Sequence, residues 1–323
     1  MKFGLQHPSF SNDYNNNHDA SHITCSLKNL ATHAENTGFD SFWVMDHLHQ
    51  ISVVGNPDEP MLESWTTISF LAGVTSKIKL GTLVSGVIYR HPSILAKTAA
   101  TLDVLSNGRL FMGIGAAWNE EESMAYGIPF PPTRDRFLML EEALQIIHSM
   151  WDKETKSTTF NGRFYKLKNA YCNPKPLQEP MPPIMVGGSG ERKTLQIVAK
   201  YADACNLFGS PKTVRRKLSI LSEHCKKANR DYDTILKTKL THIIIADDQN
   251  EVERRVNERF GGLEEEVRED FAIYGTPEKV LDQILLYEEI GIDYLIVNFD
   301  SKREMESLKI FANKIIRKHK QSF

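Results

Sequence analysis

The feature that most constrains this chain is a rhythm of eight short apolar runs separated by stretches of helical spacing. The runs are Phe3–Gln6, Ser41–Met45, Ile78–Val84, Leu110–Ile114, Ile184–Val186, Ala204–Leu207, Thr241–Ala246 and Tyr294–Asn298. Strands that alternate with helices predict a parallel sheet covered by helices. The helical segments are His22–Thr37, Glu63–Thr75, Ser93–Leu105, Arg134–Trp151, Glu191–Tyr201, Thr213–Ala228, Pro277–Ile290 and Arg303–Lys318. Their punctuation agrees. Gly38 follows the first, where a left-handed residue ends a helix, and Pro92 opens the third, where a missing N–H costs nothing. Eight strand–helix units in 323 residues predict an α/β fold, a TIM (β/α)8 barrel, with a doubly wound open sheet as the runner-up.

No composition shift divides the chain, so residues 1–323 read as one domain. One irregular region, about 152–183, contains a hairpin signal at Asn161-Gly162 and then Pro174, Pro176, Pro180, Pro182 and Pro183. It reads as an insertion over one end of the barrel. The segment Asn250–Phe271 also has helical character, interrupted by Gly261-Gly262.

Composition narrows the function classes. Hydrophobic residues make up 41% and charged residues 25%, and the net charge is −2. That balance offers no basic field for nucleic acid or an acidic membrane surface. No run approaches the length of a membrane span, and the first residues read as a strand rather than a leader. The four cysteines have no Cys-x-x-Cys spacing, and reduced thiols in the cytoplasm are the expected state.

In a barrel of this kind the site lies at the C-terminal ends of the strands. The second strand ends in Asp46-His47, and a histidine there either handles a proton or is hydrogen-bonded structurally. The third ends in Gly81-Thr82-Leu83-Val84-Ser85-Gly86, small enough for a flat ring to approach or simply a tight turn. The fourth gives Gly113-Ile114-Gly115-Ala116-Ala117-Trp118-Asn119, which lacks the third glycine of a dinucleotide fingerprint. Asn119 there either caps the next helix or binds a ligand. The fifth gives Gly187-Gly188-Ser189-Gly190 leading into a helix, an anion-binding pattern to which Arg192 or Lys193 adds charge, or again a tight turn. Asn206 is a mouth candidate on the sixth. Cys205 reads as a small buried residue. The eleven histidines show no metal-ligand spacing, so no metal is expected. Trp65, Tyr89, Trp118 and Tyr126 read either as an apolar pocket or as core and lid.

Taken in order, these segments resemble the luciferase-like monooxygenase superfamily and, within it, the branch that uses the deazaflavin coenzyme F420. The resemblance rests on Gly38-Phe39-Asp40 through Asp46-His47, His91-Pro92-Ser93, Thr101 to Arg109, the strand-four and strand-five glycines, Tyr201-Ala202-Asp203 and Gly275-Thr276-Pro277. It implies hydride transfer between F420 and a small organic substrate, with FMN and oxygen chemistry as the alternative, and a homodimer. A flavin-carrying protein without catalysis is a third reading. His47 is implied as the proton-handling residue at the cofactor's reactive face, and Asp46 and His47 are both implied as cofactor-binding. Leu83-Val84 is implied as a non-prolyl cis peptide that props the ring, with Ser85 and Gly86 at its polar edge and Gly115, Ala116 and Asn119 nearby. Gly187, Gly188, Ser189 and Arg192 are implied at the cofactor phosphate. Sugar-phosphate-oxidising relatives place an acid directly after the strand-four glycines. Here that stretch is Ala116-Ala117-Trp118, so the acid is expected to be missing or to come from Glu120 or Glu121.

Overall fold

A computed structural model describes residues 1–11 and 20–321. Strand β1 (Lys2–His7), helix α1 (Ser21–Thr37), β2 (Ser41–Val44), α2 (Ser64–Val74) and β3 (Lys79–Thr82) begin the chain, and a two-residue strand β4 (Ser85–Gly86) follows. Next come α3 (Pro92–Leu105), β5 (Met112–Gly115), α4 (Glu120–Ala125), α5 (Thr133–Trp151) and an antiparallel hairpin of β6 (Thr158–Asn161) and β7 (Lys166–Ala170). The second half holds β8 (Ile184–Gly187), α6 (Thr194–Tyr201), β9 (Ala204–Leu207), α7 (Pro211–Ala228), β10 (Leu236–Ile245), α8 (Gln249–Phe260), α9 (Glu265–Phe271), β11 (Ala272–Gly275), α10 (Pro277–Glu289), β12 (Tyr294–Asn298), α11 (Glu304–Phe311) and α12 (Arg317–Gln321).

The main sheet is parallel, in the order β3-β2-β1-β12-β10-β9-β8-β5-β4, with β11 added to the upper half of β10. Its two ends meet at a parallel bridge between Leu80 and Leu110, where the N–H groups of Leu80 and Phe111 donate to Arg109 O and Leu80 O at 2.9 Å each. The barrel expected from the alternation is therefore the fold.

Alternation along each strand divides the core. On β12, Leu295 and Val297 face the helices and join the large outer cluster, whereas Tyr294 and Ile296 face inward. With Trp43, Leu83, Phe111, Met185 and Ala204 they plug the lumen. Trp43 Nε1 and the Tyr294 hydroxyl both donate to Ser41 Oγ at 2.5 Å, so the polar atoms of this plug are paired.

All eight expected strands are present, with two differences. β10 begins at Leu236 rather than Thr241. Its first half, Leu236-Lys237-Thr238-Lys239, reads as surface, yet Lys239 is fully buried with its ammonium 4.8 Å from the centre of the Tyr287 ring. Burial pushes the Lys239 amine down to about 7. The strand β11 was not foreseen, because four residues after a helix carry too little pattern. Gly38 ends α1 at φ 95°, and Pro92 occupies the first turn of α3, as expected. No helix among the described residues is long and apolar enough to cross a membrane.

Candidate active site

His47 leaves the end of β2 and meets a carboxylate that sequence reading did not find. Its Nδ1 lies 2.7 Å from Glu122 Oε2, on the first turn of α4. The Tyr89 hydroxyl donates to the same oxygen at 2.6 Å. The backbone N–H groups of Leu48 and His49 reach Oε1, the latter at 3.4 Å. Glu122 is fully buried. Burial alone would raise its pKa, but the hydrogen bonds from His47, Tyr89 and Leu48 outweigh it and hold the carboxyl below its ordinary value. Burial first, and then Glu122, push the Tyr89 hydroxyl far up, so it stays a donor.

This geometry fixes a tautomer. An ionised Glu122 accepts at Nδ1, so the His47 proton sits there and Nε2 carries the lone pair. Trp118 stands edge-on to the His47 ring at 5.6 Å and is 59% exposed. Ala117 holds the turn beside it at φ 60°, a backbone region that disfavours a side chain.

The expectation for the acid is corrected. The carboxylate at His47 is neither missing nor Glu120 or Glu121, both of which are exposed. Asn119 caps α4 by accepting from Glu122 N at 3.2 Å. That cap sets the helical phase and turns the third glutamate, not the first two, toward β2. The spacing Asn119-x-x-Glu122 is a helix-start signal that would have singled it out.

Asp46 points away from His47. It takes a bidentate pair from Arg90, at 2.6 and 3.0 Å, and a hydrogen bond from Ser64 at 2.6 Å. Arg90 also reaches Glu63. Ser85 accepts from Trp65 Nε1 at 3.0 Å and shares a 2.9 Å hydrogen bond with Thr82. Trp65 is thus a core residue and Tyr89 a member of the histidine cluster. Tyr126 is exposed, stacks on His49 at 6.3 Å and donates to Leu48 O at 2.8 Å. Asn206 is buried and accepts from Thr238 at 2.9 Å. Burial pushes the Cys205 thiol up to about 12, which leaves it unreactive.

The peptide Leu83–Val84 is cis. Three glycines surround the Val84 side chain. A Cβ on Gly113, Gly115 or Gly187 would lie 2.8, 2.9 or 2.6 Å from a Val84 methyl. Gly115 and Gly187 have Val84 methyls in the space a side chain would take, and Gly113 has Thr82 O there first, at 2.1 Å. Half-buried Val84 and the glycines around it thus form an apolar shelf at the mouth that no larger side chain fills.

The loop after β8 carries the other expected residues. α6 starts at Thr194, three residues later than expected, with no side-chain cap. Among the described residues, no backbone N–H from Gly188 to Lys193 donates to a protein carbonyl. Arg192 and Lys193 are exposed. The structure adds Lys217 of α7, which sequence reading missed: its ammonium donates to Ser189 Oγ at 3.0 Å and Phe208 O at 2.9 Å. It lies some thirty positions away in sequence, where nothing local marks it. Backbone N–H groups without a backbone acceptor thus lie beside an ammonium at this loop.

A parallel barrel with a histidine–carboxylate cluster and a glycine-lined shelf at its mouth has the layout of a barrel enzyme. Residues 1–264 match the family described as luciferase-like monooxygenase, and the chain belongs to it. An uncharacterized protein of Mycobacterium tuberculosis is 32% identical over 211 residues, 61% of this chain and 73% of that one. An F420-dependent glucose-6-phosphate dehydrogenase of Microbacterium testaceum is 26% identical over 322 residues, 90% of this chain and 92% of that one. Among solved structures, an F420-dependent secondary alcohol dehydrogenase in complex with an F420–acetone adduct superposes with a TM-score of 0.81 at 21% identity, covering 97% and 98% of the two chains.

Proposed function

We propose that this protein is an F420-dependent oxidoreductase that moves a hydride between the deazaflavin and a small organic substrate. The observation that carries this reading is the His47–Glu122–Tyr89 cluster, set at the same end of the barrel as the Val84 shelf. Bound on that shelf, F420 would supply two-electron hydride chemistry.

The chain's own residues supply the rest. Leu83, Val84, Gly86, Gly115 and Ala116 give the surface on which a ring rests. Gly187, Gly188, Ser189 and Arg192, with Lys217 behind Ser189, offer donors and positive charge to a phosphate. Asp46, Ser85 and Asn119 hold the frame through Arg90, Trp65 and the α4 cap. His47 takes or gives the proton that accompanies the hydride, at Nε2, while Glu122 keeps the other ring nitrogen protonated and Tyr89 steadies Glu122. Replacing His47 with Ala should remove turnover and leave cofactor affinity little changed. The reading is tested by mixing oxidised F420 with a panel of small alcohols and following loss of its absorbance. Turnover that collapses by orders of magnitude in His47→Ala supports it. Turnover untouched by that change removes His47 from the chemistry.

The family's description as monooxygenases favours one second reading, reduced FMN with oxygen at the same shelf. Oxygen consumption with reduced FMN, and none of the F420 reaction, would establish that reading instead.

A further inference from the structure

Trp118 has no part in the scheme above, although it stands beside the residue that handles the proton. The other three tryptophans, Trp43, Trp65 and Trp151, are buried, whereas Trp118 is 59% exposed. An indole left in water forgoes a large gain from burial, so its placement at the mouth calls for a reason.

The turn that carries it is pinned on both sides. Ala116 O accepts from Arg136 Nε at 3.1 Å, and the buried Arg136 also donates to Pro131 O at 2.6 Å. On the other side Asn119 caps α4. Between these anchors Ala117 takes φ 60°, a region that disfavours a side chain and persists only where the surroundings enforce it. The turn also abuts the shelf. A Cβ on Gly86, at the end of β4, would stand 3.4 Å from Ala117 Cβ. The indole itself is edge-on to the His47 ring, with centroids 5.6 Å apart. A molecule that lies over the shelf and reaches His47 therefore meets Trp118.

The arginines that touch these segments are engaged elsewhere. Arg90 pairs with Asp46 and Glu63, and Arg136 binds backbone carbonyls and lies 3.9 Å from the centre of the Phe130 ring. Neither is free for an anionic group of a substrate. The flat indole is what this side offers.

We propose that Trp118 is a specificity-determining residue of this site. Its exposed face stacks on a planar apolar group, so the site takes alcohols and carbonyl compounds with an aromatic ring beside the reacting carbon, in preference to saturated ones of equal size and to sugar phosphates. This deepens the reading above and rests on it in calling that molecule the substrate; the stacking itself is measured without cofactor.

The test is tryptophan fluorescence of the full-length protein without F420. Acrylamide reaches exposed indoles, so its quenching reports Trp118, and Trp118→Leu should abolish it. Methyl phenyl carbinol and methyl cyclohexyl carbinol are the probes, one with a flat ring and one with a puckered ring. The aryl carbinol should shield Trp118 saturably, with a dissociation constant about three- to tenfold lower than that of the saturated one, as an aromatic pair adds to plain burial. Ligand-observed NMR gives the same two constants in the variants. They should become equal in Trp118→Leu and stay apart in Trp118→Phe. In turnover with F420, Trp118→Leu should lower kcat/KM for the aryl carbinol about tenfold, mainly through KM. Equal constants in the unmodified protein, no shielding by either carbinol, a preference that survives in Trp118→Leu, or a loss confined to kcat overturns the proposal. Failure of the F420 reading would appear in cofactor titrations and would leave the fluorescence result standing, so the two are separable.

Discussion

The shelf at the barrel mouth makes a quantitative prediction about Gly187. A Cβ there would stand 2.6 and 2.7 Å from the two Val84 methyls and 3.2 Å from Val84 Cβ. Real contacts of that kind sit near 3.5–4.0 Å, so Gly187→Ala overpacks the site and should destabilise the fold by about 1–3 kcal/mol. Val84→Ala removes both methyls, the two closest contacts, and leaves Val84 Cβ at 3.2 Å. It should itself cost about 1 kcal/mol, since Val84 is half-buried. In the double variant most of the Gly187→Ala penalty should vanish, giving a coupling of about 1–2 kcal/mol. Gly113→Ala is the control. Its Cβ would meet a Val84 methyl at 2.8 Å but also Thr82 O at 2.1 Å, a backbone clash that Val84→Ala leaves in place. Equilibrium urea unfolding of the single and double variants gives the coupling directly. Additive costs for Gly187→Ala and Val84→Ala, or rescue of Gly113→Ala as complete as that of Gly187→Ala, would refute the packing argument.

Three further outcomes are expected. Glu122→Gln keeps the shape but cannot accept at both ends, so His47 loses its fixed Nδ1 proton; turnover of any alcohol that reacts should fall by about 10²–10⁴-fold with F420 affinity little changed, as read by steady-state kinetics and fluorescence titration. Lys217→Met should weaken F420 about tenfold and leave binding of the phosphate-free deazaflavin unaltered; an equal loss for both would make Lys217 a loop-shaping residue. Stability should fall on acidification in two stages measured by urea unfolding. The unfolded His242 takes up a proton near 6.5 that the folded one refuses until about 4, so its contribution is complete above 6.5 and declines below it. Glu122 is held below its ordinary 4.5, so its contribution is lost only as the pH falls through and below that value, and Glu122→Gln should flatten that second stage.

How far the chain could be read in advance followed from where the information lies. Strand–helix alternation is local and repeated eight times, so the barrel and the strand ends bearing His47, Leu83-Val84 and Gly187 were legible. Glu122 was not, because three consecutive glutamates look alike until the Asn119 cap sets which one turns inward. Lys217 and the hydrogen bonds of Asn298 to Gln6 and His242 were not either, since each joins elements distant in sequence and the latter depend on sheet register. Lys237 and Lys239 obscured the start of β10 by placing charge where burial was to come. Lys237 sits 3.8 Å from Asp293, and Lys239 lies over an aromatic ring.

The central claim is that the mouth of this barrel holds a deazaflavin. Fluorescence titration of the purified protein with F420, and separately with FMN, tests it most directly. The account predicts saturable F420 binding at micromolar concentration or tighter, weakened by Lys217→Met and untouched by His47→Ala. Micromolar binding of FMN with none of F420 would contradict it.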